Sequence, residues 1–162
     1  MKKEDKINAF KSLLGEKSQY GNYLAHLRSE KKWNTTNIEQ TVKIAKEKID
    51  SGIESFVIYG EPQCGKTAMM VGLTSKLIDD GHNLIIILLN DSLRLLRQNL
   101  DRFREVSLNP TPKKASDIDD KGLIDPKYVL FCKKNINDLK KLNLLVKGKR
   151  KVIIDDEADY AS

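Results

Sequence analysis

Leu84–Leu89 reads LIIILL, six apolar residues with neither a polar interruption nor an alternation. A strand with one wet face alternates. A run that is apolar on both sides belongs to a strand covered on both faces, the usual state of strands in parallel sheets. Three further β-rich runs share this character: Ser55–Tyr59 (SFVIY), Tyr128–Cys132 (YVLFC) and Val152–Ile154 (VII). Helical patterns lie between the runs. Thr67–Asp80 is stopped by Gly81, Ser92–Glu105 follows, and Ile136–Lys147 is stopped by Gly148. Strand alternating with helix predicts an α/β fold, a parallel sheet with helices on both faces.

The first third of the chain reads differently. Ile7, Phe10 and Leu14 recur at helical spacing before Gly15, and Tyr20, Tyr23, Leu24 and Leu27 form a second stripe. Trp33 falls in a loop. Thr36 with Glu39 three residues later has the form of a capping box. It opens a third helix with Ile38, Val42, Ala45 and Ile49 on its apolar face and Gly52 at its end. The expected organisation is a helical segment over 1–52 and a nucleotide-binding domain over 53–162. Within the latter, Val106–Lys127 holds three of the four prolines and is read as a long connection, either functional or mobile.

SFVIY leads directly into Gly60-Glu61-Pro62-Gln63-Cys64-Gly65-Lys66-Thr67, and a helix is expected next. G-x-x-x-x-G-K-[ST] between strand and helix is the phosphate-binding loop. Glycines let the backbone close into a nest of N–H donors, and the helix N-terminus adds its positive end. The ammonium of Lys66 suits the β- and γ-phosphates, and the hydroxyl of Thr67 suits Mg²⁺. The second half of such a site is Val152-Ile-Ile-Asp155-Asp156-Glu157-Ala158-Asp159. A short strand that ends in carboxylates delivers them to the carboxyl edge of the sheet, where ligands of such sheets bind. One carboxylate can enter the Mg²⁺ shell, and another can orient or deprotonate a water.

Asp156-Glu157-Ala158-Asp159 spells DEAD. With the loop GEPQCGKT, the chain resembles the first RecA-like domain of superfamily-two helicases and translocases. In texture (GKTAMMVGL, the Arg-rich helix after the second strand, IIDDEADYAS) it is most similar to the P-loop domain of endonucleases linked to restriction–modification. The resemblance spans Ile38 to Ser162. It implies Lys66, Asp156 and Glu157 as catalytic residues, with Thr67 and Asp156 on the metal. It also implies Asp159 as a link to later motifs and Gln40, twenty residues before Gly60, as an adenine reader. Asp155 stands where the family carries an apolar residue, which leaves open which acid leads the Mg²⁺ shell. Where helicases read P-T-R-E-L, this chain reads Asp91-Ser92-Leu93-Arg94-Leu95. The proline is missing and the arginine is displaced by one, so the expected nucleic-acid contacts at Ser92, Arg94 and Arg97 are departures from the pattern.

Charge bears on the partner. Lys+Arg number 29 against 23 Asp+Glu, a formal net of +6. The excess lies at the ends: 11 against 8 in residues 1–59, 9 against 10 in 60–126, and 9 against 5 in 127–162. Lys133, Lys134, Lys140, Lys141, Lys147, Lys149, Arg150 and Lys151 either line a nucleic-acid groove or keep the domain soluble. So do Arg94, Arg97 and Arg104 beside the stripe Leu93, Leu96, Leu100 and Phe103. No aromatics interleave with the lysines, which argues against base stacking. Cys64 and Cys132 form no disulfide framework or metal spacing, and His26 and His82 are assigned nothing. The longest apolar run, six residues, is too short for a transmembrane helix, and MKKEDKINAF lacks a secretory core. A cytoplasmic setting with no membrane partner follows.

The expected function is an ATP- and Mg²⁺-binding helicase-like domain. It forms the N-terminal part of a DNA-dependent ATPase or translocase of a restriction or defence system, with RNA left open as the polymer. Two alternatives stand beside it: a non-catalytic nucleic-acid-binding module, and a P-loop switch ATPase that acts on protein partners. In the RecA-like order a later strand lies between the DEAD strand and the P-loop strand. The sequence therefore reads as a truncated domain, weak or inactive alone and completed by further domains or subunits.

Overall fold

A computed structural model describes residues 18–60 and 65–157 of the chain. The stripe Ile7, Phe10, Leu14, the loop residues Glu61, Pro62, Gln63 and Cys64, and Asp159 lie outside them. Four parallel strands form one sheet: β1 (Leu84–Leu89), β2 (Lys113–Lys114), β3 (Tyr128–Lys133) and β4 (Val152–Asp155), in the order β2-β3-β1-β4. The register sets Leu84 beside Tyr128 and Ile85 beside Val152. The unbroken apolar run is thus an interior strand, buried on both faces as its pattern predicts.

Alternate residues of β1 serve two cores. Ile85, Ile87 and Leu89 join Val129 and Phe131 under four helices: α1 (Gln19–Ser29), α2 (Thr36–Asp50), α3 (Lys66–Asp79) and α4 (Leu93–Glu105). Phe103 of α4 is fully buried and meets the Phe131 ring edge-on, with centroids 4.9 Å apart. Leu84, Ile86, Leu130 and Cys132 face the other way, onto Leu142 and Val146 of α5 (Ile136–Val146) and onto Ala115 and Ile118. No described helix is long and apolar enough to cross a membrane.

Several expectations are corrected. SFVIY joins no ladder. Residues 53–60 run as chain without secondary structure, Val57 and Tyr59 stand 84% and 88% exposed, and only Phe56 packs against the core. Strand propensity needs a partner to become a strand. No described strand pairs with this stretch. The capping box also fails. Thr36 is already helical, and Glu39 bonds the Thr35 hydroxyl at 2.5 Å and the Arg28 guanidinium instead. Leu93 is exposed at the first turn of α4 rather than part of its buried stripe.

The proline-rich stretch is ordered structure. It contributes β2, a short 3₁₀ turn at Ala115–Asp117 and the buried side chains Leu108, Ala115 and Ile118. The Gln19 side chain exchanges two hydrogen bonds with the backbone of Asn109, at 2.9 and 2.7 Å. The Tyr128 hydroxyl accepts from the amides of Ile124 and Asp125, each at 3.0 Å.

Candidate nucleotide site at the carboxyl edge of the sheet

Gly65 takes φ +84° and ψ 27°, a left-handed conformation that L side chains rarely adopt, immediately before α3. A Cβ there meets none of the described residues within 4 Å, and the backbone conformation itself calls for glycine. Lys66 and Thr67 follow in the first turn, where free N–H groups and the helix dipole favour an anion. The rest of α3 is held firmly. Met70, Val71, Leu73, Leu77 and Ile78 are buried, and the Tyr23 hydroxyl donates to the carbonyl of Ala68 at 3.1 Å. Gly72 lets α1 and α2 come close: its ideal Cβ would lie 3.4 Å from Ile38 and 3.6 Å from Tyr20 and Tyr23.

The Thr67 hydroxyl accepts from Arg102 Nη1 at 3.2 Å and donates to Asn99 Oδ1 at 3.4 Å. Asn99 is buried in α4 and donates to the Leu95 carbonyl at 3.0 Å. The sequence reading missed both residues. The available signal was a polar residue among Leu96, Leu100 and Phe103, with an arginine one turn on.

Asp155, Asp156 and Glu157 close β4. The Asp156 amide donates to Leu88 O at 3.0 Å, so the acidic turn is still tied to β1. Burial, and then the charge of Glu157, push the Asp156 carboxyl above the ordinary carboxylate range, while Lys66 and Lys134 pull it back. Lys66 and Asp156 therefore share one electrostatic site. Glu157 adopts φ +56°, and its carboxylate accepts from Asn90 Nδ2.

Several basic residues read as candidate groove residues have internal roles. Lys133 Nζ donates to Asp91 at 3.0 Å, and with Asn135 it holds the Asp91 carboxyl below its ordinary range. Lys134 Nζ bonds Asp155. Arg104 donates to the Pro112 carbonyl at 3.3 and 3.2 Å. Lys141 Nζ reaches Ser116 O at 3.3 Å. Ser92 caps α4 by accepting from the Leu95 amide at 3.3 Å, and Arg94 and Arg97 stand exposed beside it. Gln40 is exposed on α2, and no described contact joins it to the phosphate site. A larger cleft of about 1010 Å³ opens at the far edge, lined by Lys43, Lys46, Asp50, Asp80, His82 and Arg150. Lys46 there pairs with Asp50 and Asp80, and Lys76 with Asp80. Lys66, Thr67 and the acidic end of β4 lie at the other edge, which is where such sheets bind ligands.

The arrangement of Lys66 and Thr67 across from an acid-ended parallel strand agrees with what the whole span shows. The profile of the family described as "Type III restriction enzyme, res subunit" matches residues 24–161. The chain belongs to this family. Membership of the type III restriction Res family makes it a helicase-like P-loop domain of a restriction system. No curated protein and no solved structure matches the chain.

Proposed function

We propose that this Res-family domain binds ATP with Mg²⁺ at the carboxyl edge of the sheet and hydrolyses it, driving movement along DNA. The observation that carries the reading is the pairing of Lys66 and Thr67, at the start of α3, with the half-buried Asp156 that feels the Lys66 charge. The donor set fits the metal, since Mg²⁺ takes a hydroxyl, one or two carboxylate contacts and phosphate oxygens rather than an all-protein cage. Thr67 and Asp156 hold it, and when bound it neutralises charge on the phosphates.

Gly60 through Thr67 supply the phosphate cradle, and Lys66 places its ammonium on the β- and γ-phosphates. Glu157 orients the attacking water and takes its proton, with its carboxylate steadied by Asn90. The DEAD reading of residues 156–159 supports these roles. Arg94 and Arg97 contact the DNA backbone from α4, near Ser92, and phosphate contacts of this kind position without reading sequence. Cytoplasmic location and association with further domains or subunits of a restriction system belong to the same proposal.

Calorimetry with a non-hydrolysable ATP analogue tests the site. Lys66→Ala is expected to abolish the binding heat, and unchanged affinity would overturn the reading. DNA stimulation of hydrolysis tests the motor. Affinity for DNA that falls with salt but ignores nucleotide would favour a passive binding module instead.

A further inference from the structure

Lys134 follows β3 directly, and its side chain is only 11% exposed. Lysine is rarely buried to that degree unless it is fully paired. All three ammonium protons are spent on one turn: Asp155 Oδ1 at 2.8 Å, the Asp156 carbonyl at 2.8 Å and the Glu157 carbonyl at 3.0 Å. An ammonium has three donors and no more. The contacts therefore saturate it.

The turn it grips is the one that must be shaped for a metal and a water. Glu157 sits at φ +56°, a conformation that a non-glycine residue keeps only when its surroundings impose it. Lys134 holds its carbonyl and Asn90 holds its carboxylate, so backbone and side chain are each fixed from a different strand end. Asp155, the residue that departs from the family pattern, has its carboxylate engaged by the same ammonium. An acid neutralised in this way is a poor competitor for Mg²⁺, whereas Asp156 offers only its backbone carbonyl to Lys134.

We propose that Lys134 is a positioning residue: it sequesters Asp155, clamps the acidic turn, and thereby makes Asp156 the carboxylate that receives the metal. This rests on the nucleotide site proposed above and goes beyond it in deciding between adjacent acids. It also explains why this chain carries an extra aspartate at the strand end. The aspartate is the counter-charge of a buried lysine.

The experiment uses Mn²⁺ as the metal probe, followed by electron paramagnetic resonance on the purified chain with a non-hydrolysable ATP analogue. Analogue binding in EDTA is measured separately by calorimetry. Lys134→Met is expected to weaken Mn²⁺ about 10–100-fold, the usual range for residues that orient metal ligands. Its metal-free analogue affinity should stay within about twofold of wild type, and Lys134→Arg should recover part of the loss. Equal Mn²⁺ affinity in Lys134→Met and wild type overturns the proposal. Because loss of a buried lysine can unfold the protein, Asp155→Asn and Asp156→Asn form an independent pair. Asp156→Asn should lose the Mn²⁺ signal while Asp155→Asn retains it, and the reverse order overturns the assignment. Failure of the wild type to bind the analogue even in EDTA is a different result, which removes the nucleotide site itself and this inference with it.

Discussion

Replacing Asp79 with alanine should loosen α1 without touching the phosphate site. Asp79 is the last residue of α3, and its carboxylate caps the start of a different helix. Oδ1 accepts from the Gln19 amide at 3.0 Å, and Oδ2 accepts from the Tyr20 amide at 3.0 Å and the Ser18 hydroxyl at 2.6 Å. Hydrogen bonds to a charged group contribute about 1.5–3 kcal/mol each when nothing replaces them. Here the sum is discounted, because water reaches these half-buried groups and Ser18 Oγ still accepts from Gly21 N at 3.1 Å. A loss of about 2–3 kcal/mol remains, more than the roughly 0.5–2 kcal/mol usual for a removed cap because three donors lose their acceptor at once. For a domain of this size that lowers Tm by about 5–10 °C. Thermal unfolding followed by circular dichroism reads the shift, and hydrogen exchange at the Gln19 and Tyr20 amides locates it. Asp79 lies thirteen residues along α3 from Lys66, about 20 Å at 1.5 Å per residue, so affinity for an ATP analogue should not change. A Tm within 1 °C of wild type, or unaltered protection of those two amides, would refute the capping argument.

Three other outcomes are expected. Phe103→Ala should cost about 3–5 kcal/mol in urea unfolding, and a double-mutant cycle with Phe131→Leu should assign about 0.5–1.5 kcal/mol of it to the ring pair. Gly65→Ala and Gly65→Ser should destabilise equally, by about 1–2 kcal/mol, because the strain lies in the left-handed backbone and no described residue crowds the site; a much larger cost for serine would show crowding. Burial, then Asp138, pushes the Cys132 thiol up to about 11. In a Cys64→Ser background it should therefore stay protonated and unreactive to a disulfide reagent at pH 8 until the protein is unfolded, and rapid native labelling contradicts that.

What the sequence revealed is what local pattern encodes. LIIILL was legible as an interior strand because its period shows burial on both faces, and Gly81 and Gly148 marked helix ends that do take φ +87° and +70°. β2 was illegible, being two charged residues, Lys113 and Lys114, with no apolar pattern to report its pairing with β3. SFVIY misled in the opposite direction, since its residues favour a strand and its surroundings supply no partner. At the site, Gly65, Lys66, Thr67 and the acidic strand end could be read from a fixed spacing. Lys134 could not, because it looked like the lysines around it, and its acid lies 21 residues away in sequence. Asn99 and Arg102 reach Thr67 across 32 and 35 residues, and no short pattern reports such a meeting.

Lys133 and Lys134 are neighbours that hold different loops. Lys133 reaches the turn after β1 at Asp91, and Lys134 reaches the turn after β4. One peptide unit is thus a yoke between the place where α4 begins and the place where the acids sit. The two arms differ in stiffness. The Asp91 arm is an exposed ion pair, worth little and easily traded for water, while the other arm is a shielded ammonium with every proton committed. A pull on the Arg94 end of α4 can slip at the soft arm, and it then reaches the acidic turn through Asn90, the neighbour of Asp91 whose amide holds the Glu157 carboxylate.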